Sequence, residues 1–528
     1  MSNPRSHHIK ELLLPCLGFS VAAGFLSAVT ATLFTFAAEK VIHVSNHLHE
    51  KAETNLLWIL VFILGSAAIG LIASFLLSLS RTCRGGGIPT SVAAIKGMVS
   101  FNWLASIFLL PFSALLTFFC GLPLGTEGPC VQMGTAIGDG VIHCAGGKKR
   151  RGWRRYVMTG GASAGFAIAT GAPVSAIIFS VEEIHKRLSP ILLTVASISV
   201  VTSQLTARLL SSLGFGSTDL FVIAAMPAIS RGFVLAPLII GLVCGLSSIF
   251  FTRFYHFANA MMRKLLKKLS IRLVLPILFA CVSAVGFLIA GSLGTGHSLV
   301  DTLLFSRAPW YMLILIFLIR AVFMTLSNTS GVTGGTFLPT LSFGAILGSL
   351  CAEVMILLGV MEPEHYTLAV VLGITAFLGA TIRIPITACV FAIEAIGGVN
   401  NVLPLILATT VAMLTVELSG LEDFTDTLIE AKLHSLKEGK TSTVIEVPLK
   451  VTSDAFVIGK EMKDILWPIS CVVLSIERAN AVHGTTEILE GDVIKVHYET
   501  YDPVGTAEEL SHLVGTQPEE IRERMLVK

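Results

Sequence analysis

The sequence predicts an all-α polytopic membrane protein that carries a small C-terminal α+β domain. Of its 528 residues, 53% are hydrophobic and only 14% are charged, and the mean hydropathy is +0.79. No soluble domain of this length needs so much apolar surface, so the composition excludes an ordinary soluble protein. The apolar character ends near residue 432, where polar and alternating sequence begins. We therefore predict a transmembrane domain over residues 1–432, followed by a soluble domain.

Long apolar runs recur along the first part of the chain, and several can span a hydrocarbon core of about 30 Å. They occupy residues 12–38, 56–80, 103–120, 156–182, 190–213, 233–255, 273–293, 310–327, 367–382 and 401–418. Shorter stretches that begin after Gly or Pro predict half-helices at 88–99, 129–142, 298–305 and 337–348. Such broken helices are tolerated at membrane depth only where protein or a water-filled cavity satisfies the backbone.

The distribution of basic residues predicts that the N-terminus and the C-terminal domain are cytoplasmic. Lys and Arg gather within residues 5–10, 81–84, 148–155, 186–187 and 263–272. An excess of positive charge marks cytoplasmic loops and also suits contact with anionic lipids. The formal net charge of +2 gives no indication of nucleic-acid binding. The first apolar run lacks a small-residue cleavage site, so we expect it to be retained as a membrane helix.

The cysteines and short motifs favour neither a metal site nor an enzyme. Ten cysteines are scattered through mostly apolar segments without a C-x-x-C pair, which argues against a zinc site or a disulfide framework. The sequence has no Walker-type nucleotide-hydrolysis segment. We expect no cofactor and no covalent chemistry.

Two segments about 210 positions apart match, which predicts a duplicated membrane domain. Residues 173–184 align without gaps to residues 385–396. Upstream of these segments, Gly and Pro residues also align without gaps: Gly125 with Gly335, Pro129 with Pro339, Gly134 with Gly344 and Gly138 with Gly348. Duplicated halves with short, Gly/Pro-interrupted helices are typical of transporters whose site lies at the repeat interface near the membrane midplane.

A single carboxylate, Glu127, lies at the glycine-rich helix start Gly125–Pro129. A helix N-terminus offers unpaired N–H groups and a positive dipole end, so it attracts a halide or a side-chain carboxylate that competes for the same place. Protonation of Glu127 would remove that competition and couple a proton to an anion. A carboxylate in a membrane is costly, which favours this functional interpretation over a helix-start preference.

The C-terminal segment predicts a linker over residues 433–443 and an α+β domain over residues 444–528. Alternating β-branched patterns predict strands at 444–450, 470–477 and 492–499, and helical spacing predicts helices at 456–466 and 504–515. A domain of about 80 residues is marginal as an independent core, so we expect it to dimerise or to lean on the membrane domain.

Four motifs resemble the CLC chloride channel and transporter family in order and spacing, over roughly residues 10–432. They are Gly85–Pro89, Gly125–Pro129, Glu182–Glu183 and Gly334–Pro339. The resemblance implies two inverted repeats, a homodimer with one pore in each subunit, and an anion path lined by helix N-termini. The implied anion contacts are Gly85 and Gly86 with Gly87 at the inner site, Thr336 and Phe337 at the central site, Thr126 to Gly128 at the outer site, and Thr425.

The same resemblance assigns roles to two glutamates and exposes departures from the family pattern. Glu127 matches the gating glutamate, and Glu183 matches the internal glutamate that hands protons to the gate from the cytoplasm. Thr126 replaces the usual Arg, Gly86 replaces the usual Ser, and Thr425, next to Phe424, replaces the usual Tyr. These changes predict a wider inner gate, weaker central binding and looser coupling.

The C-terminal domain resembles the TrkA-C lobe of potassium-conductance regulators at Gly459–Lys460, Glu477–Arg478 and Glu490–Val493. Such lobes can bind cyclic dinucleotides at a dimer interface, and a purely structural role in dimerisation is about as well supported. The first functional hypothesis is a chloride/proton antiporter that moves Cl⁻ in exchange for H⁺. The alternatives are a passive chloride channel, a fluoride/proton antiporter, and a transporter under the control of a nucleotide.

Overall fold

The computed structural model describes residues 14–53, 55–99, 101–146, 148–216, 220–221, 235–289, 291–397, 399–437, 443–468, 471–478, 482–500 and 503–526. Within these residues, eight helices are long and apolar enough to cross a membrane. The helices of the first half are α1 Leu14–Glu53, α2 Leu56–Leu79, α3 Gly87–Ile95, α4 Trp103–Phe119, α5 Glu127–Ala145, α6 Lys148–Arg151, α7 Arg154–Thr170, α8 Pro173–Phe179 and α9 Pro190–Ser212.

The second half repeats the alternation of long and short helices. Its helices are α10 Leu235–Lys268, α11 Ile271–Leu288, α12 His297–Phe305, α13 Trp310–Thr329, α14 Phe337–Leu357, α15 Tyr366–Ile382, α16 Pro385–Phe391, α17 Val402–Leu418 and α18 Phe424–Lys437. Two predicted half-helices are present as the nine-residue helices α3 and α12. The stretches predicted at 129–142 and 337–348 lie in longer helices, α5 of 19 residues and α14 of 21, and α14 is long enough to span a membrane, so its prediction as a half-helix is wrong. The apolar run 156–182 divides into α7 and α8, because Gly171 takes a left-handed φ of 64° and Pro173 begins a new helix.

Reciprocal contacts relate the two halves by an approximate two-fold axis. Gly125 N–H donates to the Gly335 carbonyl at 2.8 Å, and Gly335 N–H donates back to the Gly125 carbonyl at 2.7 Å. Contacts in which equivalent residues exchange partners are the signature of two-fold symmetry. The predicted duplication is therefore confirmed, and the halves form inverted repeats.

A second reciprocal pair joins the short helices α8 and α16. The Glu182 carboxylate accepts the amides of Ile386 at 3.0 Å and Thr387 at 2.8 Å, at the start of α16. The Glu394 carboxylate accepts the amides of Val174 at 2.9 Å and Ser175 at 2.8 Å, at the start of α8. Each glutamate thus caps the helix of the other repeat, where orphan N–H groups and the dipole favour a negative charge.

The C-terminal domain is a three-stranded antiparallel sheet in the order β1, β3, β2, built from Thr443–Lys450, Val493–Thr500 and Cys471–Ile476. Helices α19 Pro503–Val514 and α20 Pro518–Leu526 follow the sheet. The predicted helix over 456–466 is wrong. Gly459 has a φ of 70°, which interrupts a helix, and a 3₁₀ turn at Met462–Asp464 is the helical element formed there.

The boundary between the two parts also differs from the expectation. Helix α18 continues to Lys437 and so extends into the predicted linker 433–443. Residues 438–442 lie outside the described residues. Five residues, 438–442, separate the end of α18 from the first strand of the C-terminal domain.

The C-terminal domain packs against the membrane domain at the start of α7. Phe456 contacts the ring of Trp153 at a centroid distance of 5.5 Å and the ring of Tyr156 at 6.0 Å. Arg155 donates to the Leu466 carbonyl at 3.1 Å and to Glu509 at 2.7 Å. An apolar core and a half-buried ion pair thus join the two parts, as expected for a domain too small to be stable alone.

Candidate functional site

Three helix N-termini, those of α3, α5 and α14, converge with backbone touching backbone. A Cβ atom on Gly87 would lie 1.8 Å from the Gly128 carbonyl oxygen, and a Cβ on Gly128 would lie 2.6 Å from the Gly335 Cα. Side chains at these glycines would push the helix starts apart. The approach concentrates the positive ends of three helices around one point, which suits an anion.

The Glu127 side chain occupies this convergence. It is fully buried, and its Oε2 atom lies 2.3 Å from the place that a Cβ on Gly125 would take, a place that is also 3.0 Å from the Leu338 Cβ. Neither carboxylate oxygen makes a hydrogen bond of normal geometry within the described part of the chain, and the nearest donors are the backbone amides of Glu127 and Leu338. The carboxylate therefore lies between the starts of α5 and α14, where a negative group meets backbone dipoles and has no basic side chain bonded to it.

Among the backbone amides expected to hold anions, one is already hydrogen-bonded elsewhere in the protein. The amide of Gly85 donates to the Gly331 carbonyl at 2.9 Å, so the expectation that it faces the inner site is wrong. A loop-closing hydrogen bond uses it instead. Gly86, Thr126 and Thr336 are the N-caps of α3, α5 and α14.

First-turn amides supply the remaining predicted backbone donors. Gly87, Gly128 and Phe337 lie in the first turns of α3, α5 and α14, where amides have no intrahelical acceptor. The Phe337 ring is fully buried and packs edge-on against Phe166, at a centroid distance of 5.0 Å, and against Phe391, at 5.5 Å. Phe337 can therefore offer an anion only its backbone.

The anion contact expected at Thr425 stays a prediction, because the group that its hydroxyl meets is the Glu183 carboxyl. Thr425 is buried, and its amide donates to Asp423 Oδ1 at 2.9 Å. Its neighbour Phe424 instead packs edge-on against Tyr255, at a centroid distance of 4.9 Å. The Tyr255 hydroxyl donates to Asn328 Oδ1 at 2.7 Å. Tyr255 and Asn328 were not identified from the sequence. The one indication was that Asn328 is a polar residue at the end of an apolar helix.

A lysine also approaches the start of α3. The Lys432 ammonium, on α18, donates to the Arg84 carbonyl at 3.1 Å and to the Thr90 hydroxyl. Thr90 donates in turn to the Gly86 carbonyl at 3.1 Å. Sequence reasoning missed this positive charge because it lies 342 positions from Thr90 along the chain. It adds to the positive potential of the helix start.

Glu183 lies on a π-helical segment, Ser180–His185, that follows α8. It is 1% exposed, and neither of its carboxylate oxygens has a hydrogen-bond partner of normal geometry in the described residues. Nearby, Lys186 bridges Asp423 at 2.9 Å and Asp426 at 2.7 Å. The second repeat has an equivalent π-helical turn at Ala392–Ile396, so the turn belongs to the shared fold, and it is the buried Glu183 carboxyl that makes the segment a candidate for proton transfer.

A cavity of about 1320 Å³ lies beside the Glu183 segment. Charged side chains of both signs line it, among them Lys96, Glu182, Lys186, Arg383, Asp423 and Asp426. Apolar side chains such as Met98, Ile178 and Leu193 also line it, and water can occupy the part beside the charged groups. Its lining includes Glu182 and Lys186, which lie on either side of Glu183 along the chain.

A G-x-S-x-G sequence at Gly161–Gly165 carries no hydrolase site. It lies within α7, and Ser163 is fully buried. A nucleophile elbow requires a strand-to-helix turn that exposes the serine.

Comparisons with known proteins agree with this architecture. The family described as voltage gated chloride channel matches residues 65–417. The chain is 26% identical over 433 residues to the H(+)/Cl(-) exchange transporter ClcA of Vibrio cholerae serotype O1, covering 80% of this chain and 90% of that protein. It is 26% identical over 408 residues to ClcA of Yersinia pestis bv. Antiqua, covering 74% and 82%.

Solved structures share the fold. A slow cyanobacterial Cl⁻/H⁺ antiporter superposes with a TM-score of 0.71 at 22% identity, covering 79% of this chain and 98% of that chain. A CLC-type fluoride/proton antiporter superposes with a TM-score of 0.61 at 20% identity, covering 76% and 95%. The family match spans well over half of the sequence, and the repeats have the expected form. The chain belongs to the voltage gated chloride channel family, the CLC family.

Proposed function

We propose that this membrane protein exchanges chloride for protons, with Glu127 acting as a carboxylate that competes with chloride for the helix starts. The observation that carries the proposal is the position of the Glu127 carboxylate, buried between α5 and α14 beside Gly125 and Leu338. When chloride takes this place, the displaced carboxylate gains a proton. Its return as an anion expels the chloride, so each ion drives the other.

Glu183 is proposed to relay protons between the cytoplasmic cavity and Glu127. Its burial without a hydrogen-bond partner of normal geometry, beside a charged cavity, supports this role. The neighbouring Glu182 is engaged as a helix cap and is not available for it. The relatives named H(+)/Cl(-) exchange transporter add support for coupled exchange.

Two alternatives keep the family and change the transport. A passive chloride channel is favoured by Gly86 and Thr425, which lack the usual hydroxyl ligands. Fluoride/proton exchange is the second alternative, because fluoride exporters of the family also depart from the Ser and Tyr pattern at the positions of Gly86 and Thr425. Retention of Glu183 favours exchange over a channel, because a channel has no use for an internal proton relay.

The test uses purified protein in liposomes under an outward chloride gradient. Exchange predicts that chloride efflux drives protons inward against their own gradient. Chloride flux without proton movement would instead establish a channel. Repeating the measurement with a fluoride gradient separates the ions, since a fluoride exchanger moves protons faster with fluoride than with chloride.

The C-terminal domain is proposed to be a cytoplasmic TrkA-C-like regulatory domain over residues 444–528, and the protein to be a homodimer. Arg155 and Arg187 both bond to this domain, so the basic side of the membrane and the domain coincide. The positive-inside rule then puts both in the cytoplasm. Titrating the full-length protein with cyclic dinucleotides, by calorimetry, tests the regulatory role; absence of binding leaves a structural role.

A further inference from the structure

The space beside Gly86, at the start of α3, has room for a side chain, and we call this space the corner. A Cβ on Gly86 would meet Pro89 Cδ at 3.5 Å, Asn328 Nδ2 at 3.6 Å and the Gly334 carbonyl at 3.7 Å. These are ordinary van der Waals separations, and Gly86 has φ −67° and ψ 134°, which any residue adopts. A side chain would fit here, yet the chain supplies none from this position. A donor from elsewhere faces the corner instead.

That donor is the Asn328 amide nitrogen. Asn328 is 8% exposed, and its Nδ2 has no hydrogen-bond partner among the described residues. Its Oδ1 accepts the Tyr255 hydroxyl at 2.7 Å, which fixes the orientation of the amide and turns Nδ2 toward Gly86.

A buried amide with unused N–H groups costs free energy unless something accepts from it. Near the first turn of α3, with the Lys432 ammonium on the same turn, the group that best satisfies such donors is an anion. We propose that Asn328 is an anion ligand, whose Nδ2 binds chloride at the start of α3, and that Tyr255 is the positioning residue that aims it. This inference rests on the proposed function, because it assumes that the helix start lines the anion path.

The test measures chloride affinity by calorimetry on the full-length protein, alongside chloride-driven proton movement in liposomes. Asn328→Leu removes the donors at nearly constant volume, and we expect chloride affinity to fall about tenfold, or about 1.4 kcal/mol. Tyr255→Phe frees the amide to rotate, and a smaller loss of about threefold is expected. Tyr366→Phe removes a buried hydroxyl that bonds Ser349 and is the matched control, with affinity unchanged.

A rescue separates ligation from folding. Gly86→Ser in the Asn328→Leu background puts a hydroxyl into the open corner and should restore most of the affinity. The ligand assignment is overturned if Asn328→Leu binds chloride as the wild type does, or if Gly86→Ser restores nothing while Tyr255→Phe changes nothing. Failure of the proposed function has a different signature, since the wild-type protein itself would then move no protons under a chloride gradient.

Discussion

The two repeats share their architecture but differ in their acids. Gly125 and Gly335 exchange equivalent hydrogen bonds, and Glu182 and Glu394 cap each other's helices. At two other pairs of equivalent positions the two repeats carry different residues. Glu127 in the first repeat corresponds to Phe337 in the second, and Glu183 corresponds to Ala395.

The difference separates structure from function. Residues kept in both halves make satisfied contacts across the two-fold axis, so the fold accounts for them. Glu127 and Glu183 are buried with no well-formed hydrogen bond in the described residues, and their counterparts are apolar. Burial of a charged or unpaired carboxylate costs several kcal/mol. Because the fold is symmetric, a destabilising buried carboxylate that occurs in only one repeat is best explained by a function. The proposed function is proton coupling.

The largest effect should come from Glu127→Gln, which makes the first repeat permanently neutral at this position, like the second. We expect proton movement under a chloride gradient to vanish, because the amide cannot release a proton, while chloride still crosses. Glu362→Gln, at a glutamate whose side chain is 72% exposed, is the control and should retain exchange. Coupled transport by Glu127→Gln would break the comparison.

Glu183→Gln should give the next largest effect and sharpen the distinction between the two acids. Proton movement should fall at least tenfold while chloride flux persists, since the anion path at the helix starts is untouched. Parallel recordings of proton and chloride movement from the same vesicles measure this. Equal losses of both ions would mean that Glu183 supports the fold and not the relay.

Lys432→Met tests the electrostatics at the α3 helix start. We expect chloride turnover to fall severalfold, and proton movement to fall in proportion, because the charge acts on the anion alone. The deficit should persist as ionic strength rises, because Lys432 is partly buried and salt screens such charges far less than exposed ones. A changed ratio of protons to chloride would assign Lys432 to coupling instead.

The capping glutamates should behave alike in kind. Glu182→Gln and Glu394→Gln each weaken charge-assisted bonds to two backbone amides, so each should destabilise the protein by about 1–2 kcal/mol. Glu182 also accepts the Thr387 hydroxyl at 2.7 Å, so its loss should be the larger of the two. Thermal unfolding in detergent measures both losses, and proton coupling in the surviving protein should be unchanged. No loss in either variant, or a specific loss of coupling in Glu182→Gln, would contradict the interpretation of both residues as helix caps.

The smallest effect lies outside both repeats, in the C-terminal domain. The Arg478 guanidinium hydrogen-bonds Asp492 at 2.8 Å and holds the pKa of that carboxyl below its usual range. A lowered pKa stabilises the fold above the ordinary Asp range, and this stabilisation is lost as pH falls through the lowered value. Arg478→Met should therefore lower the melting temperature at pH 7 and approach the wild type near pH 3, as differential scanning fluorimetry would record. Lys463→Met, at an exposed lysine, is the control.

Local patterns predicted the parts of the protein that depend on nearby residues. Gly and Pro located the short helix starts, periodicity located the long helices, and the repeat located Glu182 beside its counterpart Glu394. Contacts between segments that are distant along the chain could not be predicted from local patterns. Tyr255 and Asn328 meet across 73 positions, from two helices that each read as apolar spans. The failed helix at 456–466 had suitable spacing, but the backbone of Gly459 decided the outcome.

The central claim is that the Glu127 carboxylate stands in for a halide between α5 and α14. A crystal structure of Glu127→Gln grown in bromide, with anomalous diffraction at the bromine edge, tests it most directly. The account predicts a bromide peak beside Gly125 and Leu338, where Oε2 lies in the wild-type protein. A structure with bromide elsewhere in the protein and none at this position would contradict it.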